Sequence, residues 1–79
     1  MTGYEQRCRQ AREFRAVVRL IESAYSAPLH EVVTAAVATG PSLTFEYFQI
    51  AFSDWTEFRL ESQAEIDAAL QLALQRRAA

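Results

Sequence analysis

The sequence predicts an α+β domain: two N-terminal helices, an antiparallel β-hairpin and a C-terminal helix. Three observations carry that prediction. Apolar residues recur at helical spacing early in the chain and again near its end, each time behind a pair of residues spaced for a capping box. Between them lies an aromatic-rich stretch, Leu-Thr-Phe-Glu-Tyr-Phe-Gln-Ile-Ala-Phe from Leu43 to Phe52. Ser53-Asp54 and Trp-Thr-Glu-Phe-Arg-Leu follow it, ending at Leu60. Apolar runs on both sides of a polar pair read as two strands and a turn.

The first helix is predicted from about Gly3 to Tyr25. Thr2 and Glu5 are spaced so that each side chain satisfies a free backbone N–H of the first turn. At 100° per residue, Phe14, Val17, Val18, Ile21 and Tyr25 share one side, while Arg9, Arg12, Arg15 and Arg19 share the other. The expected element is amphipathic with a wet, basic back.

Residues 28–39 carry two patterns. As a helix, Pro28 suits the first turn, Gly40 suits the position past the end, and Leu29, Val32, Val33, Ala36 and Val37 keep the i, i+3, i+4, i+7, i+8 rhythm. As a strand, the segment is rich in Val and Thr, and Gly40-Pro41-Ser42 is a plausible turn into a three-stranded meander. Both end signals and the period favour the helix.

In the hairpin reading, the strand Leu43–Phe52 is apolar on both faces. One face holds Leu43, Phe45 and Tyr47; the other holds Phe48, Ile50 and Phe52. A two-residue turn at Ser53-Asp54 groups Phe48, Ile50 and Phe52 with Trp55, whereas a three-residue turn groups them with Phe58 and Leu60. Tight hairpin turns prefer Gly or Asn, and neither is present, so a four-residue loop is an equal alternative. Under every parity one aromatic-rich face needs a second covering layer or another molecule. Phe48, Ile50, Phe52 and Trp55 are therefore the candidate partner-binding residues, and pairing of hairpin edges in a homodimer would complete a two-stranded sheet.

The last helix begins at a second capping box, Ser62 with Glu65. Ile66, Ala69, Leu70, Ala73 and Leu74 line one side, and Arg76 and Arg77 stand at the negative end of its dipole.

A chain of 79 residues has room for one core, so residues 1–79 are read as one domain. It is 51% hydrophobic and 23% charged, which suits a folded protein rather than a disordered one. No apolar run is long enough to span a membrane, and the early charges Glu5, Arg7, Arg9, Arg12 and Glu13 argue against a signal peptide, so the expected location is cytoplasmic. The net charge of −2 is unevenly spread. Residues 1–25 hold five Arg against three Glu, whereas residues 26–67 hold Arg59 against seven acids.

One Cys and one His exclude an internal disulfide and the usual zinc sets. His30 lacks an evident catalytic partner, since adjacent Glu31 diverges from it in either element type, and Cys8 lacks a fixed base. Glu46, Glu57 and Glu61 read as a solvated face. No metal, cofactor or small-molecule ligand is inferred. Arg12, Arg15 and Arg19 complete the candidate partner-binding set, because guanidinium groups suit carboxylates and phosphates. Their face lacks interleaved aromatics to stack bases, and the rest of the chain is acidic, which disfavours nucleic acid. The expected function is a non-catalytic protein–protein interaction module, a class that includes small inhibitors, immunity proteins and phage-encoded antagonists; the alternative is a nucleic-acid or acidic-partner binder using the arginine face.

Overall fold

The computed structural model describes residues 3–59 and 61–78, and these form five helices. They are α1 (Gly3–Ser23), α2 (Leu29–Thr39), α3 (Phe45–Ala51), α4 (Trp55–Phe58) and α5 (Gln63–Ala78). There is no strand among the described residues, so the α+β class and the hairpin are overturned. The protein is all-helical, and dimerisation by pairing of strand edges loses its basis.

The misread segment has two periods at once. Phe48, Ile50 and Phe52 alternate as a strand would, but Phe48, Phe52 and Trp55 also stand at i, i+4 and i+7. The helix wins because those three side chains then converge on the core, and each is 0% exposed. Burying each is worth roughly 1.5–3 kcal/mol or more, enough to override weak strand preferences. Ser53-Asp54 joins α3 to α4 rather than strand to strand. The Ser53 N–H donates to the Ile50 carbonyl (3.1 Å) and the Trp55 N–H to the Phe52 carbonyl (2.9 Å).

α2 resolves as the helix favoured above. It is rich in β-branched residues, poor helix formers in isolation, but Val32, Val33, Ala36 and Val37 are all buried. Pro28 sits just before the first turn, and its carbonyl accepts from the N–H groups of Glu31 and Val32. Gly40 closes the helix with φ −117, a conformation open to any residue. Its need for glycine is spatial: a Cβ would lie 2.6 Å from Leu43 Cδ1 and 3.2 Å from Val17 Cγ2.

α2 and α3 each pack against both α1 and α5. The core between them draws on every helix, from Val17 and Ile21 of α1 to Ile66 and Leu70 of α5. The α5 capping box forms as expected, with Glu65 N–H donating to Ser62 Oγ (3.2 Å) and Ser62 N–H donating to Glu65 Oε1 (3.0 Å). The Thr2–Glu5 box involves Thr2, which lies outside the described residues.

Two arginines hold the connections. Arg59 Nη1 donates to the carbonyls of Tyr25 and Ala27, between α1 and α2. Its Nε and Nη2 grip Glu61 at 3.1 and 2.8 Å. The guanidinium also lies 4.6 Å from the centre of the Trp55 ring, which stacks as well on the ring of Tyr25 at 5.1 Å. Arg77 donates to the carbonyls of Gly40 and Leu43, both at 3.3 Å. Carbonyls stranded at a helix end or in a turn thereby find charged donors.

Candidate functional site

Of the predicted partner-binding residues, Phe48, Phe52 and Trp55 belong to the core. Trp55 is further engaged through its Nε1–H, which donates to Glu61 Oε2 at 3.3 Å. These three therefore present no surface with Ile50, which turns outward and is 60% exposed. The remaining three, Arg12, Arg15 and Arg19, are exposed on α1 as the helical wheel required.

These arginines stand at i, i+3 and i+7, so they form one row along α1 opposite Val17 and Ile21. Among the described residues none of the three takes part in a hydrogen bond or ion pair, whereas Arg59 is paired with Glu61. Three like charges on adjacent turns repel one another mildly, and Glu22, three residues beyond Arg19, makes no ion pair with the row.

Beside the row runs a shallow groove of about 370 Å³, lined by Phe14, Arg15, Val18, Arg19 and Glu22. Phe14 and Val18 make its apolar floor because they lie between the buried stripe of α1 and the arginine row. Tyr47 of α3 does not line the groove but adjoins it through Phe14, whose ring it meets edge-on with centroids 6.2 Å apart. Tyr47 and Ile50 are three residues apart on α3, hence on one side of it, and both are exposed. The sequence supplied the arginines; the aromatic part depends on the contact between α1 and α3, which no local pattern announces.

The other candidates stay apart. His30 is exposed on α2, and Cys8 is half-buried on α1 and unpaired. The acids divide: Glu61 is held by Arg59, while Glu46 and Glu57 are exposed on α3 and α4. The hydrogen-bonded Arg59 guanidinium holds the Glu61 carboxyl below the usual carboxylate range. Among the described residues no group of three His, Cys, Asp or Glu side chains could hold a metal ion. No described helix is long and apolar enough to cross a membrane.

No family model, curated protein or solved structure matches this chain.

Proposed function

We propose that the chain is a non-catalytic protein-binding module whose contact surface is the α1/α3 face. Phe14, Val18 and Tyr47 are its apolar centre, and Arg12, Arg15 and Arg19 are its charged border. The observation that carries this is the unpaired arginine row beside an apolar groove. Aromatic residues and Arg are the types enriched where proteins meet. The fitting partner is an acidic amphipathic segment. Its apolar side lies on Phe14, Val18 and Tyr47, and its carboxylates reach the guanidinium groups in bidentate pairs. A nucleic acid would meet the same charges, but the neighbouring rings Phe14 and Tyr47 stand edge-on to each other and make no flat platform for bases.

The test uses an acidic amphipathic helical peptide, its Gln-for-Glu counterpart, and a single-stranded RNA and DNA of mixed sequence. The acidic peptide is expected to bind with NMR shifts centred on Phe14, Val18 and Tyr47. The counterpart, or the R12Q/R15Q/R19Q variant, should lower affinity at least tenfold, with a modest dependence on salt. Shifts elsewhere on the molecule would overturn the proposal. So would a salt-steep complex with RNA or DNA that the triple variant abolishes, because counterion release marks phosphate binding.

A further inference from the structure

A second face of the molecule carries a different pattern, independent of the α1/α3 reading. On α5, Glu65, Ala69, Leu72 and Arg76 stand at i, i+4, i+7 and i+11, the alternating four-and-three spacing of a coiled-coil seam. The stripe lies to one side of the buried Ile66 and Leu70, at the edge facing α2. Glu65, Leu72 and Arg76 are exposed, and Leu72 keeps 48% of its surface in solvent, one of the few large apolar side chains that do.

The stripe is complementary to itself when reversed. Set α5 antiparallel to a copy of itself with the two-fold axis between Leu70 and Gln71. Glu65 then faces Arg76, Ala69 faces Leu72, Leu72 faces Ala69 and Arg76 faces Glu65. Opposite charges meet at both ends, and in the middle a large side chain meets a small one twice. That reciprocity is what a two-fold interface demands. A parallel arrangement would instead set Glu65 on Glu65 and Arg76 on Arg76.

The surroundings fit the same occupant. Two hollows lie along the α2/α5 seam, of about 260 and 70 Å³. The smaller is bordered by His30 and Thr34 of α2 and by Ala69, Ala73 and the chain's own Leu72 and Arg76 of α5, and Leu72 of a second copy, placed over Ala69, would enter there. Arg76 takes part in no hydrogen bond or ion pair among the described residues, unlike neighbouring Arg77. Glu65 uses Oε1 on the Ser62 N–H and keeps Oε2 for a second donor.

We propose that the protein forms an antiparallel two-fold dimer through α5, with Leu72 in the small hollow of the partner copy and a Glu65–Arg76 ion pair at each end. This leaves the α1/α3 face open on both copies. Sedimentation equilibrium of the whole chain tests it directly, against a chain mass of 9.0 kDa. The wild type is expected to reach twice that mass at micromolar to high-micromolar concentration. R76E should weaken association at least tenfold, since each end would then oppose two carboxylates. The E65R/R76E double variant should restore it, since the charges are merely exchanged. Because E65R also removes half of the capping box, L72E is measured in parallel; it changes an exposed side chain and should weaken association at least tenfold with helical content unchanged. A wild type that stays monomeric at high-micromolar concentration overturns the proposal. So does an association constant that R76E or L72E leaves unchanged, or a folded double variant that fails to associate.

Discussion

The outer face of α1 and the α3–α4 segment are the two most conspicuous regions of the sequence, one for its arginines and one for its aromatics, and the fold uses them in opposite ways. Phe48, Phe52 and Trp55 are wholly absorbed into the interior. Arg12, Arg15 and Arg19 have no hydrogen bond or ion pair among the described residues. A conspicuous residue is thus a candidate for recognition only if folding leaves it over. Arginine itself shows the same division, since Arg59 and Arg77 serve backbone carbonyls while the α1 row serves none.

That contrast can be broken most forcefully at Trp55. Trp55→Ala should cost about 3–5 kcal/mol in denaturant unfolding, because it leaves a cavity and removes the surface on which Tyr25 and Arg59 rest. A loss under about 1 kcal/mol would mean that the aromatic segment is not core. Gly40→Ala should cost about 1–3 kcal/mol, since the new methyl group meets the buried Leu43 side chain. Thermal melting that matches the wild type would show that Leu43 yields without loss.

A smaller effect is expected at Glu61, and it carries a pH signature. Arg59 lowers the folded-state pKa of this carboxyl. The resulting stabilisation is therefore fully present above the unfolded-state value, about 4.3, and is lost as pH falls through the lowered folded value. Glu61→Gln should be less stable than wild type near neutral pH, and the two unfolding curves should converge in acid. Parallel curves from neutral pH to about pH 3 would show that the pair contributes nothing. The smallest change in stability belongs to R12Q/R15Q/R19Q, within about 0.5 kcal/mol of wild type by chemical denaturation. Unfolding of that variant would show that the arginine row is part of the structure after all.

The sequence announces an element clearly where local signals and period agree. α5 has both: Ser62 and Glu65 cap each other as their spacing requires, and Ile66 and Leu70 are buried as the wheel places them. α1 likewise turns Val17 and Ile21 inward and its arginines outward. The α3–α4 segment has neither advantage. Thr44 and Asp54 precede its two short helices without making a side-chain cap, and its apolar residues satisfy two periods. The tie is broken by Ile50, which stays outside while Phe48 and Phe52 go in, a choice made by packing against α1 and α5. One local sign did point the right way: Ser53-Asp54 is a poor hairpin turn, lacking the Gly or Asn that such turns prefer. At the candidate site the arginine row is readable from the α1 wheel alone. Its apolar neighbour Tyr47 is not, because the Phe14–Tyr47 contact joins residues far apart in sequence.

The Arg59 bonds bear on how the molecule breathes. One guanidinium clasps the connection before α2 and, through Glu61, the connection before α5, across a sequence separation of 32 residues at Ala27. Loosening either connection strips the shared guanidinium of part of its bonding, so the two are coupled. In native-state hydrogen exchange the amides of Ala27 and Arg59, bonded respectively to the carbonyls of Ala24 and Trp55, should therefore exchange through the same opening event and respond alike to denaturant. Removing the clasp would divide that event in two and let either connection fray while the other stays closed.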